Sequence, residues 1–336
     1  MLSGRIKKII RFSFLTALLV FFLYLAFKDI NFSDLINELK KTNYFYAIAG
    51  MLIGTVGGSY IRAMRWKYLL DPLKKNIPIS HLFSAIMIGY MMNALIPRSG
   101  EVSRPVLLAE KEKISRASAF GTIVAERIFD MLSMFIVFGI FIFFYRQKIS
   151  DTFGQFNIET LSLYFSLAIL VFVGVIVIML FNLERTEIII ENLTKKILPA
   201  KFQEKIHKIF ISIVTGFLFI KYPKDYLKIF FLTVAQWLAY ATSCYITFYA
   251  FNIKLDFFAA NFVLTMMSFA MTLPLPGNSA GTFHLFTKLS LVSLYGINAE
   301  VAIGYATVSH LLGLIALLVI GFYYSIKENY KFNSGL

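Results

Sequence analysis

The sequence predicts an all-α fold. It reads as a polytopic helical membrane protein of about six full spans plus two re-entrant helical hairpins, arranged as an inverted repeat. Three observations predict this. First, 58% of the 336 residues are hydrophobic and only 15% are charged, with a mean hydropathy of +0.71. A soluble domain of this length has too little interior for that much apolar surface. Second, the apolar residues fall in long runs separated by short basic loops. Third, two of the runs are interrupted by proline and glycine, at 93–105 and at 273–282. Broken backbone at membrane depth is tolerated only where it is buried in protein or lines a cavity.

The elements follow in chain order. Residues 12–27 form a short first span, extended by Arg11 and Lys28 snorkelling to the interfaces. No small-residue cleavage site follows it, so a retained signal anchor is expected rather than a cleaved leader. Residues 28–43 read as a charge-balanced loop. The second span, 44–61, carries Gly50, Gly54 and Gly58 four apart, a ridge that lets another helix approach closely. Arg62, Arg65, Lys67, Lys74 and Lys75 then read as a dense basic loop. Residues 77–97 are uncharged apart from His81 and end in the first break, after which 101–109 runs back as a short helix with Ser99 as its N-cap. Residues 117–145 make a long span with Glu126, Arg127 and Asp130 embedded in it. A further span is expected at 160–183. Residues 184–208 read as a partly helical linker, and 209–220, too short to cross comfortably, as an interfacial or re-entrant helix. Residues 229–253 form a span, 257–287 an uncharged run broken at 274–281 until Lys288 follows, and 301–326 the last span, with His310 inside it.

The positive-inside rule sets the topology. With both termini cytoplasmic, most of the 33 Lys and Arg fall on that side. The first hairpin then enters from the cytoplasm and the second from outside, in a plasma or inner cell membrane. The whole chain, 1–336, reads as one integral membrane domain, with pseudo-repeat halves at about 44–183 and 227–326 joined by the 184–226 linker. Ile114/Ile297, Ala119/Ala302 and Gly121/Gly304 coincide when the stretches after the two breaks are aligned. A net charge of +14 raises nucleic acid as a partner. The placement of the basic residues in loops beside apolar runs favours anionic lipid instead. The single cysteine, Cys244, excludes an intrachain disulfide.

A helix that starts inside the membrane presents unpaired N–H groups and partial positive charge, and so can hold an anion. Ser99 and Gly100 start one such helix, and the Pro276, Gly277, Asn278, Gly281, Thr282 stretch another. Arg98, Arg104 and Arg127 stand near, and a guanidinium suits phosphate because it donates in a fork and stays charged. Glu101, Glu126 and Asp130 balance these arginines. A self-satisfied buried ion network has the same composition, and a carboxylate that holds an arginine until phosphate arrives combines both roles. Asn93 and Asn278 either satisfy freed backbone or contact a ligand. His310 and His284 match no metal spacing and read as packing or hydrogen-bonding groups, with titration as a second role. Lys288 and Glu300 read as interface charges. There is no phosphate loop, zinc-protease or nucleophile-elbow motif, so no catalytic residue, metal or cofactor is expected.

These residues carry a family resemblance. Asn93-x-x-x-Pro97-x-Ser99-Gly100-Glu101-x-x-Arg104, followed by Ile114-Ser-Arg-Ala and Glu126-Arg127-x-x-Asp130, resembles the flippase-like transmembrane family (UPF0104-like), as does the later Pro276-Gly277-x-x-x-Gly281-Thr282. That family includes the membrane region of lysylphosphatidylglycerol synthase. The resemblance implies translocation of a lipid between leaflets, in the best-known members an aminoacylated phosphatidylglycerol, and a head-group role for Arg98, Glu101, Arg104, Glu126, Arg127 and Asp130. The bifunctional synthases carry a soluble aminoacyl-transferase domain after the membrane part. This chain stops at Leu336, so lipid synthesis is not expected. The expected partner is a membrane phospholipid or lipid-linked precursor, with a partner enzyme or a homo-oligomer compatible with it. Two other classes stay open: a non-transporting membrane partner of a lipid-modifying enzyme or glycosyltransferase, and a polytopic lipid-modifying enzyme.

Overall fold

The computed structural model describes residues 4–153, 182–197, 222–273 and 275–330, together with isolated positions between 160 and 178, Gln203 and Phe219. Every described element is helical, as the sequence predicts. In chain order these are α1 (Gly4–Phe27), α2 (Phe32–Lys41), α3 (Tyr44–Leu70), α4 (Ile79–Leu95), α5 (Gly100–Glu112), α6 (Arg116–Phe153), α7 (Leu183–Ile197), α8 (Tyr226–Ala250), α9 (Phe257–Thr272), α10 (Pro276–Leu289) and α11 (Ala299–Lys327). Among the described residues, four stretches are long and apolar enough to cross a membrane: Tyr44–Leu70, Arg116–Tyr145, Pro223–Ala250 and Ala299–Lys327. The bent pair Ser13–Phe27 and Phe32–Lys41, angled at 83°, adds a fifth only if its two helices count as one span. The span expected at 160–183 and the short helix expected at 209–220 lie outside the described residues. The charged stretch after 183 is partly helical, as α7.

Residues 28–43 are not a loop. Asn31 accepts the Ser33 N–H with its side chain and starts α2, and Lys40 and Lys41 lie in its last turn, where positive charge favours a helix end. The glycine ridge on α3 works as expected. Gly50, Gly54 and Gly58 face Thr247, Ser243 and Tyr240 of α8, so closely that any side chain would collide. The helix passes this contact through a π-helical turn, Leu52–Gly57.

The same helix overturns the basic loop expected after residue 61. No proline or glycine follows Gly58 before Leu70, so the helix continues and carries Arg62 and Arg65 into the interior at 5% and 0% exposure. Carboxylates on α6 make that burial tolerable, as described below.

Two helical hairpins complete the core: α4 with α5, and α9 with α10. Each has its own apolar cluster. One gathers Trp66, Leu82, Ile86, Leu108 and Ile123, the other Phe248, Val263, Phe283 and Tyr305. The first hairpin turns at Pro97 and Arg98, whose φ of 65° is left-handed. Ser99 is not a side-chain cap. Its hydroxyl donates to the carbonyls of Met92 (2.7 Å) and Ile96 (2.8 Å), while Asn93 Oδ1 takes the Gly100 N–H at 2.7 Å. The Gly100 backbone lies against the Gly89 carbonyl, with no room for a Cβ. At the other end of this hairpin Glu112 closes the base, bonded to Lys74 Nζ (2.7 Å) and His81 Nδ1 (2.5 Å). Burial pushes the Glu112 carboxyl up, but the bonds from His81 and Lys74 outweigh it and hold it below its usual value.

The second hairpin turns through three consecutive left-handed residues, Gly277, Asn278 and Ser279. Ser279 Oγ donates to Leu273 O (2.5 Å), and Thr282 Oγ1 ties α10 to α9 at Ala270 O (2.9 Å). Gly281 faces α1: a Cβ there would stand 2.8 Å from Leu19 O and 2.9 Å from Phe22 Cβ. Lys288, expected at an interface, is buried instead, and its Nζ donates to Ala26 O at 2.9 Å. That carbonyl lies in the last turn of α1, where no intrahelical partner exists. The two turns meet where Arg98 Nη2 donates to Thr272 O at 3.3 Å.

These contacts rank the glycines. Gly281→Leu is expected to lose about 1–3 kcal/mol through overpacking against α1. Gly139→Leu, where no atom lies within 4 Å of an added Cβ, should be neutral or slightly stabilising because leucine is the better helix former. Thermal unfolding midpoints in one detergent compare the two directly.

Candidate functional site

Helices α3, α5 and α6 converge on a buried charge centre. Arg62 and Arg65 lie three apart on α3, and Glu126 and Asp130 four apart on α6, so each pair shares one helix face. Arg104 comes from α5. Glu126, with 0% exposure, accepts Arg62 Nε at 2.8 Å and also contacts Arg62 Nη2. Arg104 reaches the same carboxylate in a fork, Nη1 to Oε1 and Nη2 to Oε2, both at 2.8 Å. Asp130 accepts from Arg62 Nη2 (2.7 Å) and Arg65 Nη2 (2.6 Å). Aromatic and hydroxyl groups complete the shell. Arg104 lies over the Trp66 ring, 3.8 Å from its centroid, and Trp66 Nε1 donates to Thr122 Oγ1 at 2.9 Å. Arg62 Nη1 bonds the Tyr90 hydroxyl at 2.6 Å. Among the described residues neither Arg65 Nε nor Arg104 Nε finds a partner.

A second, more open pair sits one step outward. Arg127 meets Glu101 at 2.9 Å, with side chains 38% and 31% exposed. Arg98 lies further out, held by the Thr272 carbonyl and by no carboxylate among the described residues. The local pairs that the three-residue spacing suggests, Arg98/Glu101, Glu101/Arg104 and Arg127/Asp130, do not form. Each carboxylate binds across helices instead, because side chains turned into a helix interface find their partners on the facing helix. Arg127 is matched by Glu101 and Arg98 is exposed, so the buried centre sets three arginines, Arg62, Arg65 and Arg104, against two carboxylates, Glu126 and Asp130, and the expected balance gives way to an excess of positive charge. Leu95, Ile96, Val102, Met131, Met271 and Leu273 are exposed around the two turns.

Of the sequence-predicted residues, the structure brings Arg104, Glu126 and Asp130 into the centre, Glu101 and Arg127 beside it, and Arg98 to the meeting of the hairpins. Ser99 and Gly100 build the first turn, with the Gly100 N–H already taken by Asn93. Pro276, Gly277, Asn278, Gly281 and Thr282 build the second turn. Among the described residues, no hydrogen bond or ion pair joins them to the arginine centre. Gly277 faces open space. His310 holds the second turn through Asn278 O at 3.2 Å. Arg62, Arg65, Trp66 and Tyr90 are the additions. For the three on α3 the signal was the unbroken helical stretch between Gly58 and Leu70, which puts Arg62 and Arg65 on one face. No three His, Cys, Asp or Glu among the described residues converge to hold a metal.

A buried, arginine-rich polar centre beside two broken hairpins defines an integral membrane protein with a polar site inside its helical body. The chain belongs to the family of the lysylphosphatidylglycerol synthase transmembrane region, whose model matches residues 9–321. It is also similar to a UPF0104 membrane protein of Methanocaldococcus jannaschii, at 27% identity over 146 residues. That match covers 43% of this chain and 40% of the relative, so the chain spans about two-fifths of that relative's length. No solved structure matches. The family expected from the ordered motifs is therefore borne out, and with it a membrane protein of a lipid-related family.

The two ion-pair layers differ in what they hold. Glu126→Ala strands the buried Arg104 guanidinium, leaves Arg62 with Asp130 and Tyr90 only, and is expected to cost about 3–5 kcal/mol. Glu101→Ala, half-exposed, should cost at most about 1 kcal/mol. Denaturant unfolding in mixed micelles measures both, and equal losses would contradict the layering.

Proposed function

We propose that this protein moves an anionic or aminoacylated phospholipid, or a lipid-linked precursor, between leaflets without converting it. One observation carries the reading: positive charge exceeds negative charge in a polar centre that adjoins the contact between two broken hairpins. A purely structural ion network gains nothing from an uncompensated buried cation. A phosphate-bearing head group supplies the missing negative charge, and two arginines are placed to receive it. Arg127 is held by a half-exposed Glu101 that a phosphate displaces at little cost, and Arg98 exchanges a single bond to a neutral carbonyl for an ion pair with the phosphate. The exposed apolar residues around the turns give acyl chains a surface while the head group sits among the arginines.

In this reading the two hairpins are the gates, and the halves 44–183 and 227–326 are inverted repeats that rock against each other. Both termini face the cytoplasm of a cell membrane. The Arg98–Thr272 bond joins the two gates, so a ligand that takes Arg98 also frees one hairpin from the other. That links occupancy to movement without nucleotide hydrolysis.

The test is dithionite quenching of fluorescent phosphatidylglycerol in proteoliposomes. Wild-type protein should equilibrate the label between leaflets. Arg98→Ala and Arg127→Ala should each slow this about tenfold or more, the loss of one charged hydrogen bond. Equal rates in variants and wild type would remove the reading. Chemical conversion of the lipid, seen by mass spectrometry, would replace it with an enzyme. Inactivity together with a stably co-purifying lipid enzyme would replace it with a scaffold.

A further inference from the structure

A second buried group of titratable side chains lies away from the arginine centre, between α10 and α11. His284 and His310 are 5% and 6% exposed. Their ring centroids stand 5.5 Å apart, and Phe283 and Phe27 pack beside them at 5.1 Å and 5.6 Å. Backbone carbonyls fix both tautomers. His284 Nδ1 meets Ala280 O at 2.5 Å, and His310 Nε2 meets Asn278 O at 3.2 Å. A carbonyl oxygen only accepts, so each of these nitrogens must carry the hydrogen. In the neutral rings that leaves His284 Nε2 and His310 Nδ1 as lone-pair bases.

The surroundings disfavour charge on either ring, and oppose two added protons far more than one. Lys288 lies four residues after His284 on the same face of α10. It is buried with its Nζ on Ala26 O, and no carboxylate partner for it occurs among the described residues. Among the described residues, the elements packed on α10 bring no counter-charge to the rings. The sequences of α9 and of the π-helical turn Ser290–Leu294 hold no titratable side chain. On α11, Glu300 takes the Asn31 N–H and Tyr305 donates to Cys244 O. On α1, Tyr24 is exposed. On α4, His81 is bound to Glu112 and Tyr90 to Arg62. Two imidazolium ions side by side would therefore meet only each other and a lysine.

We propose that His284 and His310 form a single-proton site that couples lipid movement to a proton gradient across the membrane. The inference rests on the lipid-moving reading above. One proton passes from water on the acidic side to one of the two free ring nitrogens, forming an N–H bond. It leaves from that nitrogen to water on the other side after the hairpins rearrange. No other bond is made or broken. The mechanical link is Asn278, which lies inside the left-handed turn Gly277–Asn278–Ser279. A charged His310 grips the Asn278 carbonyl more tightly than a neutral one, so the proton stiffens the second hairpin's turn. The head group acts on the first hairpin through Arg98. Each ligand thus biases one of two gates that touch at Thr272.

The test compares lipid redistribution with and without an imposed pH gradient, using fluorescent phosphatidylglycerol in proteoliposomes. Wild type should move label faster with the gradient, and the ratio of the two rates should fall to one in H284Q and H310Q. Glutamine at 310 still offers an N–H to Asn278 O, and gel filtration with thermal melting checks that both variants fold. A second measurement counts protons: potentiometric titration between about pH 4 and 8 should find the H284Q/H310Q double variant binding one proton fewer than wild type. No difference, or a difference of two, overturns the shared site. Equal wild-type rates with and without the gradient overturn the coupling and leave the lipid reading standing. No lipid movement under either condition removes the lipid reading and the coupling together.

Discussion

Glu126 is the constraint on which the interior depends. Three guanidinium groups enter a helical membrane body at almost no exposure, and isolated charges there are too costly to keep. One fully buried carboxylate receives Arg62 and Arg104 at once, and Asp130, one turn on, takes the rest of Arg62 together with Arg65. The arrangement fixes how three helices face one another. Helix α3 must turn its 62/65 face toward α6, and α5 must turn Arg104 the same way. The stacking of Arg104 on Trp66 and the bond from Trp66 to Thr122 lock that orientation from the side.

The hairpin turns obey a second constraint, that backbone polar groups away from water need partners. The chain meets it mostly with short polar side chains. Asn93, Ser99, Ser279 and Thr282 all bond main-chain atoms of their own hairpin. The turns are therefore built largely from inside, and the polar capacity left for a ligand belongs mainly to the arginines. This moves the chemistry of the site away from helix N-termini and onto guanidinium groups.

Much of this was legible in the chain. Apolar run lengths marked the spans, proline and glycine marked both turns, and the glycine ridge on α3 marked a helix contact that is present. The spacing of Asn93, Pro97, Gly100, Glu101, Arg104, Glu126, Arg127 and Asp130 marked the family. What escaped depended on partners distant in sequence. Arg62 and Arg65 resemble any juxtamembrane basic pair until Glu126 and Asp130 are known to face them. Lys288 looks like an interface lysine until the last turn of α1 is known to lie beside it. Local charge spacing misled for the same reason: it suggested pairs along one helix, whereas the pairs form between helices. The bend after α1 was hidden because residues 28–43 are polar enough to pass for a loop, although Asn31 begins a helix there.

The joint between α1 and α10 has its own consequence. Gly281 brings the two backbones together, and Lys288 clips onto the Ala26 carbonyl just before the chain turns through 83°. The first helix is thereby joined to the second hairpin, and α2 beyond the bend to α11, where Glu300 takes the Asn31 N–H. In the proposed lipid-moving cycle, α1 travels with the second hairpin while α2 stays on α11, so the bend between them is the joint that must give.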